Sequence, residues 1–265
     1  SALTLLMEIG YLDMYLPEIA NLQNLVERPF YKEDLWEHTL NVVENTPPEY
    51  LLRLAGLFHH LENYKEALSR FRFSMVLGKG GKGGEKDLVW LIKNHKQGPL
   101  TFSQELRERK EPQTFEGKIR RFIWEHGWTG RFFHAERVKN ILILWKADYY
   151  GYKKAQSEEE KYLEGSERTL KPGESKYIDE KYKEEGKYLE KLLSFFQEET
   201  EKIQNENEIF QWELLEEFAL QRKIKGREWG AFKEYLRKKM ILEKVPALTQ
   251  ELLAHEYKVF RKKKY

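Results

Sequence analysis

The feature that most constrains this chain is a pair of short helical segments, within residues 35–61, that carry histidines on their apolar faces. In each segment the apolar residues and one histidine recur at spacings of three and four, which places them on one face of a helix. The two stripes are Leu35, His38 and Val42, followed by Leu52, Ala55 and His59. Two imidazoles are therefore expected to point from adjacent helices into a shared interior.

Capping signals indicate where these two helices begin. Asp34 with Glu37 forms the first signal, and Thr46 with Glu49 forms the second. Each is a short polar side chain followed three residues later by Glu, a pattern typical of a helix start. Pro47 would then occupy the first helical position of the second helix, where its missing N–H costs nothing.

A carboxylate far along the chain ends a third apolar stripe. Its members follow the helical spacing i, i+3, i+4 and i+7. The stripe is Ile141, Leu144, Trp145 and Asp148. A buried charge needs a partner, so we expect Asp148 to join the interior that His38 and His59 face, beside His60. Three imidazoles and a carboxylate suit a divalent transition metal such as Zn, Fe, Mn or Ni. The alternative is a core in which these groups only hydrogen-bond one another.

The remainder of the chain shows helical periodicity and almost no strand alternation, which predicts an all-α multi-helix bundle. The chain has 265 residues and is 40% hydrophobic, enough for a real core, while its net charge of +2 identifies no partner. No apolar run approaches membrane-spanning length. The absence of cysteine excludes disulfides and thiolate metal sites, and it fits a reducing, cytoplasmic location.

Composition divides the chain into three predicted regions. They are a helical segment over residues 1–30, a helical body over 31–155, and a charged helical region over 156–265. In the first region, Gly10 and Pro17 should break the helix into short pieces. Five apolar residues should nevertheless share one face, namely Leu5, Ile9, Leu12, Leu16 and Ile19. In the second region, Pro99 should end a helix and leave residues 100–115 irregular.

A series of stretches in the first part of the chain carries a resemblance, namely LMEIGYLDMYLPEI, DLWEHTLNVVENTP, YLLRLAGLFHHLE, SRFRFS, LVWLIKNH, IRRFIWEHG and LILWKADYYGY. In this order they resemble the helical part of tRNA nucleotidyltransferases (CCA-adding enzymes) and the related bacterial poly(A) polymerases. The resemblance covers about residues 3–152 and weakens beyond them. It implies a bundle of degenerate HD-domain type, followed by a C-terminal helical region.

In the HD superfamily a histidine, a His-Asp pair and a distant aspartate ligate a metal. Here His38, His59 and Asp148 resemble those positions, whereas His60 stands where the pairing aspartate would be. The resemblance therefore leaves two functions open. One is the RNA-binding body of a nucleotidyltransferase relative that grips the tRNA acceptor end. The other is a metal-dependent HD phosphohydrolase with a modified His-His-His-Asp site.

The catalytic head of the nucleotidyltransferase family has no counterpart here. That head holds Mg²⁺ on two aspartates at D-x-D spacing, as two-metal phosphoryl transfer requires. The aspartates of this chain are Asp13, Asp34, Asp87, Asp148 and Asp179, and no two have that spacing. We expect no nucleotidyl transfer by this chain alone. The catalytic head would then have been left off this chain, or it would be encoded separately as a partner, or the chain would be a relative that has no head.

Basic residues near glycines or aromatics are the candidate contacts to tRNA or another RNA. The candidates are Lys79, Lys82, Arg120, Arg121, Arg131, Arg137, Lys139, Lys225 and Arg227. The first two lie in GKGGKGGE, which could cradle a phosphate or form a surface insertion. The basic residues near Phe122 and Trp128 suit contact with the RNA backbone, and the aromatic rings beside them suit stacking on bases. Alternatively, the aromatics belong to the core and the arginines to a solvated edge.

Overall fold

The structure is a computed structural model, and it confirms the predicted all-α class. It describes residues 1–25, 34–70, 84–129, 132–163, 174–208, 212–243 and 248–264. The chain forms two compact units. The first unit comprises Ser1–Lys110 and Lys139–Glu190, and the second comprises Glu111–Val138 and Lys191–Tyr265. The region boundaries predicted from composition, near residues 30 and 155, stay predictions.

Fourteen α-helices make up nearly all of the described chain. The first eight are α1 (Ala2–Glu8), α2 (Tyr11–Tyr15), α3 (Pro17–Ala20), α4 (Leu35–Asn45), α5 (Tyr50–Phe58), α6 (Tyr64–Ser69), α7 (Glu85–Asn94) and α8 (Gln97–Arg107). A 3-10 turn at Pro112–Phe115, α9 (Glu116–Gly127) and two short strands, β1 (Trp128–Thr129) and β2 (Phe132–Phe133), follow. The others are α10 (Ala135–Leu163), α11 (Glu174–Glu208), α12 (Trp212–Gln221), α13 (Gly226–Glu243) and α14 (Gln250–Lys264).

The only strand pairing in the described ranges is the antiparallel pair of β1 and β2, with Trp128 opposite Phe133 and Thr129 opposite Phe132. The pair is too short to form a sheet with a face of its own, so the core consists of helix packing. None of the helices in those ranges is both long and apolar enough to cross a bilayer.

The N-terminal helices break where the sequence predicts, but their apolar face is not continuous. Gly10 adopts a left-handed backbone with a φ of 71°, and Pro17 begins α3. The later members of the predicted face are buried, namely Leu12, Leu16 and Ile19. Leu5 and Ile9, however, are 57% and 64% exposed, and Met7 is the buried residue of α1. The prediction for Leu5 and Ile9 is wrong because the turn at Gly10 interrupts the helical register.

Helix α4 begins as predicted, and α5 does not. Oδ1 of Asp34 accepts a 2.8 Å hydrogen bond from the backbone N–H of Glu37. Thr46 instead ends α4, and its hydroxyl donates to the carbonyl of Val43 at 2.8 Å. Helix α5 begins only at Tyr50. The second proline of the Pro47-Pro48 pair disfavours helical backbone at the residue before it, which delays the helix start.

The predicted irregular segment after Pro99 is also wrong, because α8 runs through its first half and a 3-10 turn occupies its end. Pro99 lies in the first turn of α8, where a residue without an N–H is tolerated. Gly98 allows this helix to pack on Trp145 of α10. A Cβ at Gly98 would lie 2.6 Å from Cε3 of Trp145.

The second unit has its own apolar core, built from α12, α13 and α14. The buried residues of this core are Leu215, Phe218, Ala219, Ile224, Phe232, Leu236, Leu248, Leu253 and Phe260. A buried ion pair lies in the same unit. Nη1 of Arg120 is 2.9 Å from Oε2 of Glu199, and its Nε donates to the carbonyl of Ile241.

Candidate metal centre

Three helices of the first unit bring together the four polar residues that the sequence singled out. His38 lies in the middle of α4, His59 and His60 directly follow α5, and Asp148 lies in α10. One nitrogen or oxygen atom from each residue lies within 4.8 Å of the corresponding atoms of the others. The predicted convergence is confirmed, and the group could hold a metal ion.

The His59 ring is fixed by a hydrogen bond to its own helix. Its Nδ1 lies 2.6 Å from the carbonyl oxygen of Gly56. Because a carbonyl oxygen only accepts, Nδ1 carries the proton. In neutral His59 the lone pair is therefore on Nε2, which lies 3.5 Å from Oδ1 of Asp148 and 3.4 Å from Nε2 of His38.

The His38 ring lies between the carboxylate and an aromatic ring. Its Nε2 is 2.9 Å from Oδ1 of Asp148 and donates to it, because an ionised carboxylate only accepts. The ring of Tyr152 stacks on the imidazole with 3.7 Å between centroids and 20° between planes. His38 and Tyr152 are both buried. This packing restricts rotation of the His38 ring and keeps its Nε2 directed at Asp148.

A glycine in α10 permits this close packing of α10 on α4. A Cβ on Gly151 would lie 2.8 Å from Cγ2 of Val42 and 3.1 Å from Cε1 of His38. Nδ2 of Asn41 donates to the carbonyl of Gly151 at 3.3 Å. The absence of a side chain at Gly151 therefore lets Asp148, one turn earlier, reach the histidines.

Asp148 and His60 have the protonation states that a metal requires, since ligands must be deprotonated to bind one, whereas Nε2 of His38 would have to release its proton. Burial raises the pKa of Asp148, but the interactions of the carboxylate with His38 and His59 together outweigh burial and hold the pKa well below its usual range. Burial lowers the pKa of His60, and nearby His59 and His38 lower it further. At neutral pH the carboxylate is ionised and the His60 imidazole is neutral.

A fifth group, His95, lies beside the cluster and was missed by the sequence analysis. Its Nδ1 donates to the carbonyl of Ile92 at 2.7 Å, which repeats the His59–Gly56 arrangement. Its ring centroid is 5.3 Å from that of His59 and 6.3 Å from that of His60. Burial, followed by the influence of His59, lowers its pKa to about 4. Its buried Nε2 has no hydrogen-bond partner among the described residues.

A sequence signal for His95 was available. It ends an apolar stripe with the same spacing as the stripe that ends in Asp148. The members of that stripe, all buried, are Leu88, Leu91, Ile92 and His95. No second candidate ligand stands near His95 along the chain, so sequence spacing alone did not connect it with the cluster.

The candidate RNA contacts fall into three groups. Lys79, Lys82 and Arg131 lie outside the described residues. Arg121, Lys139, Lys225 and Arg227 are exposed, and Arg137 is half-buried, so their role stays a prediction. Arg120 is only 1% exposed, with its guanidinium engaged by Glu199 and Ile241. Arg120 therefore has no surface with which to reach a phosphate, which disagrees with the expectation for this residue.

Comparisons with known proteins add no relative. No protein-family model matches the chain, and neither the search of curated proteins nor the search of solved structures finds a match. The family resemblance and the functions that it implies therefore rest on the sequence stretches alone.

Proposed function

We propose that the first unit binds one divalent transition-metal ion through His38, His59, His60 and Asp148, and that it is a metal-dependent phosphohydrolase of HD type. The observation that carries this proposal is the contact between Nε2 of His59 and Oδ1 of Asp148, 3.5 Å apart. With the proton on Nδ1, two electron-rich atoms face each other in a buried site. A cation between them removes the repulsion and gives both atoms a ligand role.

A second proton on His59 would satisfy the same geometry without a metal. That state places an imidazolium in a site where His59 is only 2% exposed. In that state only the carboxylate of Asp148 would neutralise the positive charge of His59, and this carboxylate already accepts a hydrogen bond from His38. A metal ion would also bind His38 and His60, so it accounts for more of the converging donor atoms than a second proton on His59 does.

The proposed chemistry needs a metal whose ligands are held in place. When bound, such an ion would polarise a phosphoester oxygen and lower the pKa of a water molecule. The chain itself orients the donors, because the Gly56 carbonyl fixes the His59 tautomer and Tyr152 packs on His38. The side chain of Asp148 is 19% exposed, so the cluster reaches solvent on this side.

The histidine at position 60 changes the charge of the site. A His-Asp pair would contribute a second carboxylate, whereas His60 is neutral at pH 7. A divalent ion held by three imidazoles and one carboxylate keeps a net charge of +1. This residual charge favours an anionic phosphoester as substrate, and it weakens retention of the metal.

Elemental analysis and a phosphatase assay test the proposal together. The purified whole chain is dialysed against metal-free buffer, loaded with Zn, Mn, Fe, Co or Ni, and desalted. Turnover of bis(p-nitrophenyl) phosphate is then measured. We expect one ion per chain and metal-dependent hydrolysis, with both lost in Asp148→Asn. No retained metal contradicts the proposal, and bound metal without hydrolysis of diesters or of p-nitrophenyl phosphate contradicts its enzymatic part.

RNA binding through the family resemblance is a separate proposal. A filter-binding titration of the whole chain with a tRNA transcript tests it. If exposed Lys225 and Arg227 contact phosphates, their substitution by Gln weakens binding and flattens its salt dependence. Salt-independent binding, or none at low salt, argues against it. Partnership with a separately encoded head, the Mg²⁺ such a head would use, and a cytoplasmic location stay predictions.

A further inference from the structure

The first two helices are apolar on both sides. Met7 and Leu12 are buried on the inner side. Of the nine large hydrophobic side chains that are exposed in the described part of the chain, five lie within residues 5–15. We call these five the N-terminal face, and they are Leu5, Ile9, Tyr11, Met14 and Tyr15. Scattered exposed apolar residues are normal, but a concentration of this kind indicates an interaction surface.

The geometry of α1 and α2 keeps this face together. Ile9, which directly follows α1, is one turn from Leu5, and Tyr11 and Tyr15 are one turn apart on α2. The two tyrosine rings contact each other with 4.5 Å between centroids. Met14, between them in sequence, is 72% exposed. The left-handed turn at Gly10 joins the two groups directly.

The charged side chains of the N-terminal segment are all acidic. Residues 1–25 contain Glu8, Asp13 and Glu18, and no Lys, Arg or His. Glu8 lies beside Leu5 and Ile9 on the helix surface, at spacings of three and one. Oδ2 of Asp13 lies 4.0 Å from where a Cβ on Gly10 would stand, which places a carboxylate at the turn.

One of these carboxylates already binds a cationic side chain. Oε2 of Glu18 accepts from Nη1 of Arg70 at 2.6 Å. Glu8 and Asp13 are exposed, and no such contact is found for them among the described residues. The surface therefore offers an apolar centre with two further carboxylates at its edge.

We propose that the N-terminal face docks an amphipathic helix of a partner protein whose polar flanks carry Lys and Arg. An apolar stripe on such a helix would cover the exposed side chains, and its cations would meet Glu8 and Asp13. A second copy of this chain fits less well. A symmetric dimer through this face would bring the same carboxylates close to their own copies, where like charges repel.

A model peptide tests this proposal without knowledge of the natural partner. The probe is a fluorescein-labelled amphipathic helix of leucine and lysine, with leucine at i, i+3, i+4 and i+7, titrated with the whole chain by fluorescence anisotropy. A leucine–glutamate peptide of the same pattern is the charge control. We expect the lysine peptide to bind at least tenfold more tightly than the glutamate peptide.

Three variants locate the binding site. Ile9→Ser with Met14→Ser should weaken binding of the lysine peptide at least tenfold. Glu8→Gln with Asp13→Asn should weaken it several-fold and reduce its salt dependence. Leu220→Ser is the matched control, because Leu220 is 77% exposed on α12 in the second unit, and it should change nothing. All altered residues are exposed, so helical circular dichroism should stay the same.

Four outcomes would overturn the proposal. They are no binding of the lysine peptide, equal binding of both peptides, unchanged affinity in the Ile9 and Met14 variant, and an equal loss in Leu220→Ser. Sedimentation of the free chain tests the other candidate occupant of the N-terminal face, which is a second copy of the chain. A dimer that Ile9→Ser with Met14→Ser dissociates would assign the face to a second copy and contradict a basic partner helix.

Discussion

Nε2 of His59, directly after α5, faces Oδ1 of Asp148 on α10 across 3.5 Å. The opposite nitrogen of the same ring is 2.6 Å from the carbonyl oxygen of Gly56, so the tautomer of neutral His59 is fixed by the backbone. A proton or a metal ion between the two atoms would stabilise this pairing of a lone pair with a carboxylate. The metal proposal depends on which of the two is present.

Replacing Asp148 by Asn should abolish stable metal binding. Asn keeps the shape of the side chain but removes the only anionic ligand, so we expect affinity to fall by at least about 100-fold, given that even outer-shell partners are worth about 10–100-fold. Calorimetric titration with Zn²⁺ measures the loss. Asp13→Asn, at an exposed carboxylate in the same unit, is the control and should leave affinity unchanged. Equal affinity of Asp148→Asn and the parent chain would contradict the ligand role of Asp148.

Replacing His60 by Asp should strengthen metal binding. The change creates a His-Asp pair like that of the HD superfamily and adds a second negative ligand to the site. We expect a tighter calorimetric dissociation constant for Mn²⁺ and a larger rise in Tm on addition of metal. His60→Asn has a similar size without the charge and should not show the gain. A weaker site in His60→Asp would mean that position 60 does not face the ion.

The helical spacing of the sequence was enough to predict that His38, His59 and Asp148 converge, whereas His60 was added by the resemblance to the HD superfamily. In a helix, spacing alone determines which side chains share a face, and the burial of a charge requires a partner. His95 carried the same signal, and it was missed because its partners come from other helices. The Thr46 and Ile9 predictions were wrong where a proline pair or a left-handed glycine reset the register. Such turns depend on backbone angles that periodicity does not contain.

A methyl group at Gly151 should destabilise the first unit and damage the site. In Gly151→Ala the new Cβ would stand 2.8 Å from Cγ2 of Val42, so α10 must move away from α4. We expect a loss of about 1–3 kcal/mol in the free energy of unfolding, as for other overpacked cores. Metal affinity should fall as well. Chemical denaturation followed by circular dichroism measures the stability.

Gly230→Ala is the control for this prediction. Gly230 lies within α13, and a Cβ there would meet nothing within 4 Å. Alanine is the better helix former, so the substitution should stabilise the chain by about 0.5–1 kcal/mol. If Gly151→Ala behaved like Gly230→Ala, close approach of α10 to α4 would not be required.

Removing the Arg120 guanidinium should strongly destabilise the second unit. Arg120→Met leaves Oε2 of the buried Glu199 carboxylate without its cationic partner, while Oε1 keeps Lys202 at 2.7 Å, and breaking a buried ion pair costs about 3–5 kcal/mol. Arg121→Met, at the exposed neighbouring position, should stay within about 0.5 kcal/mol of the parent chain. Arg120→Met with Glu199→Gln should recover part of the loss. Equal effects of the two single substitutions in thermal unfolding would contradict the buried ion pair.

Acid should weaken the second unit partly through Glu256. Burial raises the pKa of this carboxyl, but Lys239 at 2.7 Å and the Tyr235 hydroxyl at 2.8 Å hold the pKa below its ordinary value of 4.5. The stabilisation is therefore complete above that value and is lost as the pH falls through the lower pKa of the folded state. Between pH 5 and pH 3, roughly the range in which carboxyls titrate, Glu256→Gln should show a shallower fall in unfolding free energy. Identical slopes of unfolding free energy against pH for Glu256→Gln and the parent chain would refute this prediction.

The most direct test of the metal proposal is the ¹⁵N spectrum of the histidine side chains at neutral pH, recorded before and after one equivalent of Zn²⁺ is added to the metal-free chain. The account predicts that His59 keeps its Nδ1 proton throughout and that the resonances of Nε2 in His59 and His38 move on addition of the ion, with no such change in Asp148→Asn. A His59 ring protonated on both nitrogens, with a spectrum that Zn²⁺ does not alter, would show that a proton rather than a metal ion joins His59 to Asp148.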